Sequence, residues 1–374
     1  MREKPFKSLY FHVPFCREKC SYCDFYSGKF PQLIIPYWKA VLREFSLREP
    51  ELSQFPTVYF GGGTPSLMEP AFFESILSKV GQFSEVTVEF NPEDARKEKL
   101  KELSLIGVNR ISLGVQSFSE NTLKTLGRRQ TPEENLKALE AVCSVFSNVS
   151  VDLIYGIPGQ TAEDLLKDLE TALSFPVKHI SLYALTIYEE TPLFKEYSEG
   201  KFKLPEEETV YEIYYRACSY LEKRGFRQYE ISNFSVPGFE SKHNLTYWKL
   251  ENYLGLGPSA ASFWVNKYWK NASNLKEYIG KVERGELPTQ EEETFEGEEL
   301  KKLKLIMGLR LVEGVNLKEI GLEEKFRKAL EESEVVKGLL EEGLIETEKD
   351  NLRLGRKGLF VSNSVISELV NALF

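Results

Sequence analysis

A chain of 374 residues, 42% hydrophobic and 28% charged, has room for one large domain and a small second one, and it reads as soluble and globular. Its formal charge of −9 argues against nucleic acid as the main partner, and no run nears the roughly 20 apolar residues of a membrane span. Five cysteines, three of them within eight residues, do not form a secreted disulfide pattern; with a polar segment at 1–8 in place of a leader, they point to a reducing cytoplasm.

Short apolar runs alternate with amphipathic patterns from the start. Strands are expected at 9–15, 57–60, 86–90, 110–115, 149–155 and 179–187, and helices at 36–49, 70–80, 95–105, 133–146, 162–174 and 206–223. Thr131-Pro132 with Glu134, and Thr161 with Asp164, have the form of helix-capping boxes. Six such units are too few for a closed eight-unit barrel. They predict an α/β fold, an open (β/α)6 partial TIM barrel, with an open doubly wound sheet as the alternative. In either fold, function gathers at the C-terminal ends of the strands.

The chain divides by composition into 1–225, the partial barrel; 226–290, a loop-rich aromatic extension; and 291–374, a small winged-helix-like unit. That last unit opens on an acidic stretch at 291–299, expected to be a solvated linker or a helix start. It has helices at 300–311 and 323–332 and a hairpin signal around Lys349-Asp350-Asn351. Protein contact or a lid over the barrel, rather than DNA binding, is expected of it.

Cys16-x3-Cys20-x2-Cys23 follows the first strand directly. Thiolates are the ligands of iron–sulfur clusters, and three of them on a [4Fe–4S] cluster leave one iron open to a small molecule. A zinc site is the alternative, but structural zinc takes four ligands, and the nearby His12 lies within a strand. Cys143 and Cys218 fall in apolar helical patterns and read as buried hydrophobes.

Gly61-Gly62-Gly63-Thr64-Pro65 ends the second strand and lets the backbone approach a ligand. Glu89, Gln116, Arg128 and Asp152 sit at or near later strand ends. Each has an internal ion pair as its ordinary explanation, but their shared face favours a cofactor: acids and amides suit ribose hydroxyls, and arginine suits a carboxylate. His243 in His243-Asn244-Leu245-Thr246-Tyr247-Trp248 has the chemistry of a heme ligand beside flat aromatic rings; the alternative is a satisfied loop histidine.

Together, segments 10–23, 61–65, 88–92, 114–118 with Arg128, and 151–159 resemble the radical-SAM family, in its coproporphyrinogen III dehydrogenase-like branch. The resemblance implies Cys16, Cys20 and Cys23 as cluster ligands. It implies Tyr10, Tyr22, Gly62, Gly63, Thr64, Glu89, Gln116, Arg128, Asp152 and Ala184 as the S-adenosylmethionine site. Two departures, Phe25 where the dehydrogenase has a further cysteine and a first ligand as early as residue 16, point to the sister group of heme chaperones, HemW, whose H-N-x-x-Y-W motif matches 243–248. That group implies heme binding, with His243 the candidate contact. It also implies transfer to a recipient hemoprotein, at the membrane or elsewhere, by a monomer or a cluster-dependent homodimer, with no catalytic residue assigned. The competing implication is an enzyme, the radical decarboxylation of coproporphyrinogen III.

Overall fold

The computed structural model describes residues 5–374, with every side chain except that of Phe55. Six parallel strands and their helices form in the expected order: β1 (Phe6–Val13), α1 (Ile34–Arg48), β2 (Leu52–Gly62), α2 (Pro70–Val80), β3 (Glu85–Phe90), α3 (Lys97–Leu105), β4 (Arg110–Gln116), α4 (Glu120–Thr125), α5 (Pro132–Cys143), β5 (Val149–Tyr155), α6 (Ala162–Leu173), β6 (His179–Ala184), α7 (Pro192–Ser198) and α8 (Glu207–Lys223). Both capping boxes are present, at Thr131 and Thr161.

Strand periodicity sets the character of the two faces. Leu9, Phe11, Val58, Phe60, Val86, Val88, Ile111, Leu113, Val151 and Leu153 are fully buried in one core with the helices. The alternate residues are polar and bond to one another across the strands: Ser8 with Thr57, Tyr59 with Glu89, Ser112 with Asp152, Ser150 with His179. The half-barrel is therefore apolar outside, under its helices, and polar inside.

The sheet does not close. The aromatic segment, expected to be loop-rich, continues it at both edges. β7 (Arg227–Gln228), at the sheet edge, pairs antiparallel with β8 (Asn233–Ser235), which in turn pairs antiparallel with β6. The chain then crosses through helix α9 (Lys242–Trp248) to β9 (Tyr253–Leu256), which pairs parallel with β1. An antiparallel meander follows: β10 (Ala261–Trp264), β11 (Lys267–Asn271), helix α10 (Leu275–Glu283) and β12 (Thr289–Thr294). The expected acidic linker is in part β12, whose glutamates lie exposed on the outermost strand, where charge discourages edge-to-edge association.

The C-terminal unit has its own core, including Leu305, Leu322, Phe326, Leu352 and Leu369. It comprises α11 (Gly297–Gly308), β13 (Val315–Asn316), α12 (Glu323–Glu332), α13 (Glu334–Glu341), the hairpin β14 (Ile345–Glu348) and β15 (Asn351–Leu354), α14 (Arg356–Phe360) and α15 (Ser362–Leu373). It is joined to the barrel by backbone bonds from Ile231 to Arg310 (3.1 Å) and from Val312 to Tyr229 (3.1 Å), and Arg310 lies 5.3 Å over the Trp248 ring. Among the described residues, no helix is long and apolar enough to cross a membrane.

Glu44 of α1 is fully buried and ties this helix to the meander. Its carboxylate accepts from Arg48, Asn271, Gly257 and Tyr278 at 2.7–3.0 Å. Removing one partner of a buried, fully bonded charge strands the others. Glu44→Ala is expected to cost about 3–5 kcal/mol in urea unfolding.

Candidate functional site

The thiol loop begins where β1 ends. Its base is closed by Cys16 N–H to Gly28 O and Gly28 N–H to Pro14 O, both 3.0 Å, and Cys23 N–H turns back to Cys20 O at 3.3 Å. Its middle is held by Ser21, which donates to Leu126 O (2.9 Å) and accepts from Leu193 N–H (2.9 Å). All three cysteines are free and half-buried.

The glycine run meets this loop through its backbone. Gly63 N–H donates to Val13 O (2.8 Å) and Thr64 N–H to Phe15 O (2.7 Å). A Cβ on Gly63 would stand 2.6 Å from Phe15 O, and Gly62 has φ +109, so neither position suits a side chain. Thr64 Oγ1 then donates to Cys16 Sγ (3.4 Å), and Arg128 Nη1 donates to Cys20 Sγ (3.3 Å).

The strand interiors are buried except at a few inward positions, and these form one mouth. Tyr10, Glu89, Gly114, Gln116 and Asp152 are half-buried within β1, β3, β4 and β5, and Gly62 ends β2 beside them. Glu89 accepts from Tyr59 Oη (2.8 Å) and Gly62 N–H (3.2 Å), and Asp152 accepts from Ser112 Oγ (3.0 Å). Gln116 adopts φ +67, an uncommon conformation for a non-glycine residue. It is braced on both sides: Asn135 donates to Val115 O and Ser117 O, and Asp168 accepts from Ser117 Oγ and Phe118 N–H. Ala184 ends β6, exposed on the same rim, and half-buried Tyr22 packs against the small cluster of Leu126, Ile154 and Ile157.

His243 lies deeper in the barrel, beneath the rings of Tyr10 and Tyr59. It is 1% exposed, in α9 rather than in a loop, with Nδ1 bonded to Thr57 Oγ1 (2.8 Å) and Nε2 to Tyr247 Oη (2.7 Å). Its ring stacks on Tyr59, 4.9 Å between centroids, and Glu85 caps the helix by accepting from its N–H (3.1 Å). Burial pushes the imidazole down to about 3, so it is neutral. Thr57 precedes Gly62 by five residues of β2, but the His243 ring reaches up to Tyr59 and lies 6.4 Å from that of Tyr10, directly beneath the mouth. Both ring nitrogens are engaged, so in this conformation neither is open to a metal. His12 and His179 are likewise buried and bonded at both nitrogens.

Residues that the sequence did not single out complete the site. Asn91, Ser66 and Asp94 form a hydrogen-bonded turn behind the glycine run. Arg110 is 2% exposed in the barrel interior near Glu85 and Asp152, with Nε lacking a partner among the described residues. Asn91 lies in the 88–92 segment that carries the resemblance, a polar residue just after a strand; Arg110 had no such signal.

The donor set fits an iron–sulfur cluster. Three free thiols line one loop, hydrogen-bond donors point at two of the sulfurs, and the nearby Arg128 Nε is buried with no partner among the described residues. Among the described residues, no three His, Cys, Asp or Glu side chains converge on a point for a single ion. A four-iron cube needs no such convergence, because each thiolate takes its own iron.

Comparison with known proteins agrees with this arrangement. Residues 10–172 match the model of the radical SAM superfamily, and residues 298–361 that of the HemN C-terminal domain. The chain is 34% identical to the heme chaperone HemW of Lactococcus lactis, covering 99% of this chain and 98% of that protein. The chain belongs to the radical-SAM superfamily, in the family of the heme chaperone HemW. The Bacillus subtilis heme chaperone HemW is 33% identical, covering 98% of this chain and all of that one. The solved structure of Escherichia coli coproporphyrinogen III oxidase, described as a radical SAM enzyme, superimposes with a TM-score of 0.81 at 22% identity, covering 99% of this chain and 90% of that one. The fold is therefore the open partial barrel with its C-terminal domain.

Burial raises the Glu89 carboxyl from its ordinary 4.5 to about 7, with Tyr59 and Gly62 opposing the shift. Between those values the folded protein keeps a proton that the unfolded chain has lost, so stability falls as pH rises from 4.5 through 7. Glu230 (to about 7) and Asp168 (to about 6) act in the same sense. In cofactor-free protein, Glu89→Gln is expected to flatten this fall and to gain on the order of 2 kcal/mol at pH 8, read from urea midpoints. An unchanged pH profile would contradict the assignment.

Proposed function

We propose that Cys16, Cys20 and Cys23 hold a [4Fe–4S] cluster, that S-adenosylmethionine lies across the neighbouring strand ends, and that the protein binds heme and passes it to a recipient hemoprotein. The reading is carried by full-length likeness to proteins named heme chaperone HemW. The thiol loop supports it, with Phe25 exposed two positions after the third cysteine.

When bound, such a cluster supplies an electron to the sulfonium. The chain's own residues have these roles in the reading. Thr64 and Arg128 donate to the thiolates of Cys16 and Cys20, which spreads their charge. Glu89 offers a carboxylate to the amino group of the cofactor, beside the backbone of Gly62 and Gly63. Arg128 serves its carboxylate, and Gln116 and Asp152 its ribose. Tyr10, Tyr22 and Ala184 complete the walls.

His243 takes part in heme contact only after α9 lifts off the strand starts, because closure occupies both its nitrogens. Closure thus competes with heme, and the apparent affinity is reduced by the fraction of molecules that are open. The two sides of this competition respond to mutation with opposite signs. Thr57→Val weakens the latch and is expected to tighten heme binding, whereas His243→Ala is expected to weaken it at least about tenfold. Anaerobic heme titration of both variants checks this, and equal affinities in both variants and wild type would contradict it.

The whole reading is tested by reconstituting the protein anaerobically and incubating it with reductant, S-adenosylmethionine and coproporphyrinogen III. The expected outcome is a four-iron spectrum and no protoporphyrinogen. Protoporphyrinogen formation would instead make the protein a dehydrogenase.

A further inference from the structure

Two donors reach cysteine sulfurs in this site, and a single side chain holds them both. Asn91, the first residue after β3, stands between Thr64 and Arg128. Its Nδ2 donates to Thr64 Oγ1 (3.3 Å), and its Oδ1 accepts from Arg128 Nη2 (3.3 Å). Chemistry fixes the orientation of the amide: a guanidinium only donates, so the oxygen must face it. Thr64, accepting from Asn91, is left with its hydroxyl proton for Cys16 Sγ (3.4 Å). Arg128, held by Asn91 and by Gly114 O (2.7 Å), directs its other nitrogen at Cys20 Sγ (3.3 Å).

Asn91 is itself fixed from behind. Its N–H donates to Ser66 Oγ (3.2 Å), and Ser66 donates to buried Asp94 (2.7 Å). Asp94 pairs in turn with Arg17, the neighbour of Cys16. The turn after β3 therefore grips the thiol loop twice, once through the sulfurs and once through Arg17.

We propose that Asn91 is a positioning residue for the cluster and its cofactor. By orienting Thr64 and Arg128 together it sets the hydrogen bonds to two of the three thiolates, and hence the cluster's reduction potential, and it keeps Arg128 aimed across the strand ends. This rests on the cluster reading above. Hydrogen bonds to sulfur favour the reduced, more negative cluster, so losing them lowers the potential.

The test uses full-length protein, reconstituted anaerobically, with potential read by electron paramagnetic resonance and S-adenosylmethionine affinity by calorimetry. Asn91→Ala is expected to lower the midpoint potential and weaken the cofactor about tenfold, the effect of one hydrogen bond to a charged group. Asn91→Asp, which keeps an acceptor for Arg128, is expected to lower the potential but hold the affinity within about threefold, and it carries the test if the alanine variant fails to assemble a cluster. In a Thr64→Val/Arg128→Lys background, Asn91→Ala is expected to add nothing further. Wild-type potential and affinity in both Asn91 variants would overturn the proposal, as would an undiminished effect in that background. A wild type lacking a four-iron signal would instead overturn the cluster reading, and this inference with it.

Discussion

Two backbone hydrogen bonds, from Gly63 to Val13 and from Thr64 to Phe15, hold the thiol loop against the glycine run. The other features of the site follow from that approach. It requires a glycine at 63, because any Cβ would collide with the carbonyl of Phe15. It places the Thr64 hydroxyl beside Cys16, as Arg128 stands beside Cys20, so two of the three thiols meet polar groups of the strand ends. A loop of this length without such anchors would have many conformations to lose on binding a cluster. Here that cost is met in folding, by bonds at the base, the middle and the glycine face of the loop.

The polar interior of the half-barrel is a second constraint. Alternation along six strands gives the helices a continuous apolar face and gives the lumen serines, tyrosines, acids and one buried arginine. Such groups tolerate burial only when bonded. At the mouth they are partly free, and a cofactor can satisfy them. At the floor they are closed over by α9, where His243, Thr57, Tyr247 and Glu85 complete one another. Trp248, on the same short helix, meets Arg310 of the C-terminal unit. The histidine motif thus links the barrel floor to that unit, and movement of one would be felt by the other.

Much of this was legible in the sequence. The six strand–helix units were marked by periodicity and caps, and Pro70–Val80 and Val149–Tyr155 formed with the expected boundaries. Spacing disclosed the cysteines, and residue type disclosed the glycine run. The edge strands were hidden. Tyr253–Leu256 and Ala261–Trp264 are short and lie among glycines, and only pairing with β1 and β11 makes them strands. The helix carrying His243 was hidden in a segment expected to be loop-rich, because it is only seven residues long and depends on Ser241 and Glu85 for its cap. Arg110 carried no motif of its own, and Asn91, though inside the 88–92 segment, has its meaning in partners far away in the chain, Thr64 and Arg128.

The central claim is that three thiolates hold a cluster whose remaining iron meets the cofactor at the mouth of the barrel. Electron–nuclear double resonance tests it most directly, on anaerobically reduced protein with S-adenosylmethionine isotopically labelled at its amino nitrogen. The account predicts a four-iron signal coupled to the label, lost when Cys20 is replaced by alanine. A four-iron signal without coupling, or stoichiometric zinc in the thiol loop, would contradict it.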